Sequence, residues 1–270
     1  MADAPIALGF RTDLALLRLQ GAEVTDRNGY RVVRTEANPT FRWANFVLCD
    51  RPLEPGSVPG WLAVFRAEFP EADHLAFGVD EPGGPGGEPD ELAEARLHLE
   101  RGAVLTAQSL RPPPRPNTQA ECRLLRSDAD WRAALELTVA NNLQRENQKE
   151  YRVFAERKRA GLRAAQEAGH GGWFGAFVRD DMVASLGVFT DGSGLARYQS
   201  VDTHPDHRGH GLAGTLVQHA GEWILRRADV HTLVIVTDPH YSAVRVYRSL
   251  GFLDTEEQLQ LEHRPADQPG

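Results

Sequence analysis

Val201-Asp202-Thr203-His204-Pro205-Asp206-His207-Arg208-Gly209-His210-Gly211-Leu212-Ala213-Gly214 is the stretch on which the reading of this chain turns. It continues an extended run from Leu195 and opens a series, Leu212, Leu216, Ala220, Trp223 and Ile224, whose spacing is helical. A strand therefore enters a glycine-containing turn that starts a helix. Such a turn presents N–H groups the helix leaves unpaired, and the aligned peptide dipoles favour an anion there by about 0.3–1 kcal/mol. Glycine admits a bulky phosphate close to the main chain, since no Cβ stands between. A pyrophosphate suits this turn, although two glycines at a strand–helix junction also fit an ordinary tight turn. G-x-x-x-x-G-K-[ST] does not occur in the chain, so the usual triphosphate loop is excluded, whereas Gly209-x-Gly211-x-x-Gly214 keeps the glycine spacing of a dinucleotide loop.

Outward from this stretch, Glu121 to Leu125 reads as a strand and Asp128 to Leu143 as a helix, with Trp131, Leu135, Val139 and Leu143 on one face. Tyr151 to Ala168 is a second helix, ended by Gly169-His170-Gly171-Gly172. Three strands follow, Trp173 to Arg179, Met182 to Phe189 and Leu195 to Thr203, separated by aspartate and glycine turns. Beyond the glycine loop and its helix, Thr232 to Val236 is apolar throughout, as a strand covered on both faces requires. Ser242 to Leu250 is helical, and Gly251-Phe252 reopens an extended segment. The order is β-α-α-β-β-β-α-β-α-β.

These residues resemble the GNAT N-acetyltransferase superfamily, whose acetyl-coenzyme A loop reads [QR]-x-x-G-x-[GA]. Arg208-Gly209-His210-Gly211-Leu212-Ala213 agrees at each fixed position, and Thr203-His204-Pro205-Asp206-His207 is similar to its V-x-P-e-x strand exit, with threonine in place of valine. Ala243-x-x-x-Tyr247-x-x-x-Gly251-Phe252 is similar to its later A-x-x-x-Y-x-x-x-G-F motif. The resemblance spans roughly residues 118 to 265. It implies that the strand before the loop splays from the next one, with pantetheine lying between them. Val201 and Thr203 would then hydrogen-bond pantetheine and the acetyl carbonyl. Arg208, Gly209, His210, Gly211, Leu212, Ala213 and Gly214 would hold the pyrophosphate.

The implied reaction is transfer of an acetyl group from acetyl-CoA, as cosubstrate and without a metal, to a primary amine of a small molecule or peptide. Tyr247 is the acid for the departing thiolate by motif position, and a helix aromatic packed on the sheet is its alternative role. No base is assigned. Some relatives carry a glutamate on the strand before the loop, where this chain has Arg197. Asp202, Glu146, Glu150, His170 and a water relay stay open, with Asp202 suited also to strand-end hydrogen bonding. His204, His207 and His210 are regularly spaced, but they lie across a proline-containing loop instead of one helical face, so a metal is not expected. A non-catalytic acyl-CoA sensor, or a protein-interaction module on the same fold, remains the rival reading. The polar stretch Asn141 to Gln148 carries no recognisable acceptor code.

The run Arg111-Pro112-Pro113-Pro114-Arg115-Pro116-Asn117 excludes helix and central strand, because proline lacks the amide donor. It places a domain boundary at 112–117, between 1–111 and 118–270. The first half reads as helix Leu8 to Leu19, strands Tyr30 to Arg34 and Phe41 to Cys49, helix Val58 to Phe69, strand His74 to Val79, helix Pro89 to Arg101 and strand Ala103 to Leu110. Where a coenzyme loop would lie stands Asp50-Arg51-Pro52-Leu53-Glu54-Pro55-Gly56-Ser57-Val58-Pro59, whose prolines remove amide donors. A degenerate copy of the same fold is expected. The fold class is α/β (α+β), with two GNAT-like domains in tandem, each a mixed, mostly antiparallel sheet flanked by helices. The aromatics of Asn38 to Asn45 suit either core packing with a turn or the lining of an interface or acceptor pocket.

At 270 residues the chain holds about two domains of ordinary size, and 41% apolar with 25% charged residues is a globular composition. The net charge of −8 argues against nucleic acid, whose phosphates need a basic face. Lys149 and Lys158 are the only lysines, an arginine bias that points to a GC-rich bacterial genome. Cys49 and Cys122 form no C-x-x-C pair, and the amino terminus lacks a signal-peptide pattern, so a cytoplasmic protein is expected. No apolar run reaches the roughly 20 residues of a bilayer span. A homodimer is compatible with these totals.

Overall fold

Alternation and helical spacing set the elements, and a computed structural model of the chain, which describes residues 7–142 and 148–263, shows how they assemble. In the first half these are α1 (Leu8–Leu19), β1 (Glu23–Arg27), β2 (Tyr30–Arg34), β3 (Phe46–Cys49), α2 (Val58–Glu68), β4 (Leu75–Val79), α3 (Pro89–Glu94) and β5 (His98–Ala107). Then follow β6 (Glu121–Leu124), α4 (Asp128–Ala140), α5 (Gln148–Glu167), β7 (Gly171–Val178), β8 (Asp181–Phe189), β9 (Gly194–Thr203), α6 (Leu212–Ile224), β10 (Val230–Thr237), α7 (Ala243–Ser249) and β11 (Leu253–His263). Short 3-10 turns occupy Arg42–Ala44 and Pro205–His207.

The chain divides into two compact units, Met1–Val104 with Thr255–Gly270, and Leu105–Asp254. This differs from the expected division at 112–117. The proline run instead belongs to the second unit, where Arg111 N–H donates to Leu250 O (2.8 Å) and Asn117 N–H to Thr215 Oγ1 (2.8 Å). Extended proline-rich chain cannot pair as a central strand, yet it still packs against a helix. The closing strand β11 contributes residues 255–263 to the first unit and lies antiparallel on β4, with Leu261 opposite Phe77.

Within the first unit β1-β2-β3-β4 run side by side; β3 and β4 are parallel across α2 and the other pairs are antiparallel. The second unit repeats this order as β7-β8-β9-β10, with β9 and β10 parallel across α6 and β6 added antiparallel to β7. Strand alternation divides the second unit's sheet into two faces. Phe174 meets Trp223 of α6 (ring centroids 5.2 Å apart), whereas its neighbour Trp173 meets Trp131 of α4 (6.1 Å) and carries the Arg159 guanidinium of α5 at 4.1 Å. Among the described residues no helix is long and apolar enough to cross a membrane.

The strand expected from Ala103 to Leu110 is β5 over His98–Ala107, and three other elements depart from the sequence reading as follows. The helix expected from Pro89 to Arg101 stops at Glu94, because Arg96 takes a left-handed φ of 54° and turns the chain into β5. The strand expected from Phe41 starts at Phe46. Before it, the Asn45 amide donates to Asn38 O (3.0 Å) and Phe41 O (2.9 Å), tying a turn, while Trp43 packs on Phe46 and donates to Glu262 (3.2 Å). The polar strand β1 was not expected, and Asn28-Gly29, with Gly29 at φ 89°, is the tight hairpin signal that joins it to β2. Leu143, expected on the apolar face of the first helix after Leu125, lies outside the described residues.

Leu261 is fully buried in the first unit's core, so Leu261→Ala is expected to destabilise that unit by about 2–5 kcal/mol. Urea unfolding followed by circular dichroism measures it; a loss under about 1 kcal/mol would mean that β11 contributes little to this core.

Candidate active site

Strands β9 and β10 pair from Val230 opposite Gly194, across a register shift at His231, to Val234 opposite Arg197, and pair no further. β9 nevertheless continues to Thr203 and β10 to Thr237, which leaves a wedge between their carboxy-terminal ends. On its other edge β9 stays bonded to β8, with a bulge in which Ser200 and Val201 oppose Leu186 alone and Ser200 takes φ 48°. His204 N–H donates to Val183 O (2.9 Å). By alternation the main-chain groups of Asp202 face β8, and those of Val201 and Thr203 face the wedge.

The chain leaves β9 through Pro205–His207 and reaches α6 over two left-handed glycines, Gly209 (φ 78°) and Gly211 (φ 75°). Gly211 is the N-cap of α6 and supplies no side-chain cap. Among the described residues the amides of 209 through 214 meet no protein acceptor, so the first turn offers a cluster of free donors. Gly209 and His210 are exposed and Ala213 is half-buried, while Leu212 and Gly214 are buried. A Cβ on Gly209 would meet nothing within 4 Å, whereas one on Gly211 would lie 2.0 Å from Arg115 O. Gly214 has a packing role: its Cβ position lies 3.3 Å from Pro113 and 3.4 Å from Val246 of α7. A diphosphate fits the open side of this turn on donor chemistry and on space.

Beside the wedge runs a chain of hydrogen bonds. Arg208 donates to Thr203 O (3.3 Å) and to the Asn141 side chain (3.3 Å). Asn141 donates to Asp202 (3.3 Å), which also accepts the Thr138 hydroxyl (2.7 Å), and Thr138 in turn accepts from Arg159 (2.6 Å). Sequence reasoning left Asp202 open between base and strand-end hydrogen bonding and missed Thr138 and Arg159, since a threonine and an arginine on separate helices carry no motif. It also missed Tyr198, whose buried hydroxyl donates to Val217 O of α6 (2.7 Å) across Gly221, where a Cβ would stand 2.3 Å away.

Tyr247 is 4% exposed and packs edge-on against Phe252 (6.3 Å), while Gly251, at φ 99°, ends α7. Burial first, then Tyr241 and Asp202, hold its hydroxyl above the usual tyrosine range. The phenol is therefore protonated at neutral pH, and Asp202 lies within its electrostatic reach.

The other candidates lie elsewhere. His170 precedes β7 at the opposite end of the sheet, where Thr190 N–H donates to its carbonyl (2.7 Å). At about 3.3 Å per residue that is roughly 20 Å from Thr203, too far to act on an acceptor in the wedge. Glu150 is exposed on the first turn of α5, Arg197 is buried in the paired part of β9, and Glu146 lies outside the described residues, as do 143–147 as a whole. His204 and His207 stack edge to face at 5.7 Å, and the His204 ring accepts from Asp206 N–H (3.3 Å). The His210 carbonyl accepts from the Asn117 side chain (2.9 Å).

Residues 131–252 match the model of the Acetyltransferase (GNAT) family. A GCN5-related N-acetyltransferase from Kribbella flavida is similar over 98% of this chain and 100% of its own, with TM-score 0.68 and 16% identity. A functionally unknown conserved protein from Staphylococcus epidermidis covers 88% and 92% at TM-score 0.67 and 11% identity. A tandem GNAT protein from the clavulanic acid biosynthesis pathway covers 97% and 98% at TM-score 0.54 and 17% identity. At such identities the likeness is one of fold. No curated protein matches the sequence.

Gly211→Ala forces a side chain into a left-handed turn against Arg115 O, a strain of about 1–3 kcal/mol, and is expected to weaken coenzyme A binding about tenfold or more. Gly192→Ala, at φ 85° in the turn before β9, carries the left-handed strain without a clash, its Cβ meeting nothing closer than Asp229 at 4.0 Å, and is expected to leave that affinity unaltered. Calorimetry on both variants checks the pair. Equal losses would mean that Gly211 acts only through stability.

Proposed function

Residues 131–252 belong to the GNAT acetyltransferase family, and from that premise we propose that the protein transfers an acetyl group from acetyl-CoA to a primary amine. The observation that carries this reading is the parting of β9 and β10 after Arg197 and Val234, directly upstream of a helix start with unpaired amides. A wedge between parallel strands accepts an extended amide-bearing arm such as pantetheine. The amides of residues 209–214, together with Arg208, suit the diphosphate at its far end. Thr203 N–H and the main chain of Val201 face that arm, and a donor there stabilises charge developing on the acetyl oxygen.

In the proposed reaction the unprotonated amine attacks the thioester carbonyl carbon and a C–N bond forms. The C–S bond then breaks, sulfur takes the electron pair, and the Tyr247 hydroxyl supplies a proton to it. The proton shed by the nitrogen leaves to solvent or to a carboxylate, and Asp202 is the carboxylate at the strand end. The first unit repeats the β-β-β-α-β order, but with prolines at 52, 55 and 59 where the amide cluster would lie, so we assign it no coenzyme.

Tyr247→Phe keeps the ring packing on Phe252 and removes the proton. It is expected to lower kcat on the order of 100-fold while the coenzyme A Kd stays within about twofold. Thiol release and calorimetry measure the two quantities; unchanged kcat would leave Tyr247 as a packing residue. Because its hydroxyl titrates above the ordinary value near 10, the wild-type kcat should show no alkaline loss from this group up to about pH 10. A tyrosine-dependent fall near pH 9 would contradict the assignment.

A further inference from the structure

Asp202 is the half-buried carboxylate at the end of β9, and its register partner in β8 is the fully buried Ser185. Gly175 of β7 lies opposite Ser185, two residues on from Trp173. Alternation therefore puts the Asp202 side chain on the face of the sheet that carries Trp173, α4 and α5. Tyr247 comes from the other face, since its partner Phe252 also packs on Tyr198, whose hydroxyl bonds α6. The two groups thus flank the end of β9.

Both oxygens of the carboxylate are held from one turn of α4. Oδ2 accepts the Thr138 hydroxyl (2.7 Å) and Oδ1 the Asn141 side-chain amide (3.3 Å). A hydroxyl and an amide both donate and accept, so neither is bound by its own chemistry to point a hydrogen at Asp202. Two arginines decide the direction. Arg159 Nη2 donates to Thr138 Oγ1 (2.6 Å) and Arg208 Nη2 to Asn141 Oδ1 (3.3 Å). A guanidinium offers no acceptor, so the hydroxyl proton and the amide hydrogens are left for the carboxylate. Arg159 is buried on the Trp173 ring, and burial lowers its pKa to about 10 with Asp202 first in opposing the shift, so it is a cation at neutral pH. A carboxylate has roughly four lone-pair sites, and the two left over can receive an N–H from the wedge.

We propose that Asp202 takes the proton shed by the attacking amine, and that Thr138, with Arg159 behind it, is the positioning residue that aims the carboxylate. This rests on the acetyl-transfer reading above and goes further, choosing Asp202 over solvent and naming what orients it. As the C–N bond forms, the surplus proton on nitrogen passes to Asp202, which later releases it to solvent. Tyr247 protonates sulfur as the C–S bond breaks and recovers its proton from solvent, so atoms and charge balance over the cycle. No ligand has to reach Arg159, which acts through the Thr138 hydroxyl from inside the core.

The test uses the full chain, acetyl-CoA and two acceptors of one shape, phenethylamine and O-benzylhydroxylamine. The oxygen beside nitrogen makes the second far less basic, so its nitrogen gives up the proton to water once it has attacked. Asp202→Asn should lower kcat on the order of 100-fold with phenethylamine and only about threefold with O-benzylhydroxylamine. Thr138→Val should show the same selective loss at about tenfold, with the coenzyme A Kd within about twofold, and Thr138→Ser, which keeps the hydroxyl, should restore most of it. Thermal melts establish that the variants fold; if Thr138→Val does not, Asp202→Asn decides. Equal losses on the two amines would make the Asp202–Thr138 contact a tether of α4 to β9 and overturn the proposal, as would undiminished phenethylamine turnover in Asp202→Asn. In both cases wild-type thiol release leaves acetyl transfer standing. No thiol release from the wild type with any primary amine would remove acetyl transfer itself, and this inference with it.

Discussion

Two parallel strands that start paired and then separate cannot satisfy their facing amides and carbonyls from each other. In the second unit this happens after Arg197 and Val234, and the rest of the site depends on it. The orphaned edge of β9 is a row of hydrogen-bonding groups awaiting an extended partner. The bulge at Ser200 and Val201 directs that edge, since one extra residue in β9 bends it while β8 continues to hold its other side.

The crossover between the two strands must then start close to the wedge, and the glycines make that possible. Gly209 and Gly211 take conformations that other residues reach only with strain, so β9 turns into α6 within a few residues and the helix's free amides face the same opening. Farther along, Gly214 and Gly221 let α6 settle onto Pro113 and the Tyr198 hydroxyl. That hydroxyl bonds a helix carbonyl inside the core, a polar contact that fixes the height of α6 above the sheet. Donor cluster and strand edge are thus held by packing on the face of the sheet that carries Phe174.

The opposite face is governed by charge. Trp173 supports a buried guanidinium, and Thr138 and Asn141 carry its influence to Asp202 and on to Arg208 in the loop. A buried cation beside a carboxylate in reduced dielectric holds both in place more firmly than surface pairs do. The same carboxylate contributes to keeping Tyr247 protonated. The wedge side of the site is therefore built from main chain, and the side facing α4 and α5 from side chains.

Local pattern was enough for α1, β2, α2 and the β7-β8-β9 meander, because alternation, helical spacing and turn residues act over a few neighbours. The glycine turn after Thr203 was legible for the same reason: φ preference and a missing Cβ are properties of single residues. The end of α3 at a left-handed Arg96 and the polar strand β1 were less so, since neither interrupts an apolar pattern. What the tertiary structure alone decided is which distant residues meet. The placement of β11 on β4, the proline run against α6, and the alignment of Arg159, Thr138 and Asp202 each join positions far apart in the chain. Such partnerships arise from burial and from satisfying hydrogen bonds across elements, and nothing in the spacing of a single segment encodes them.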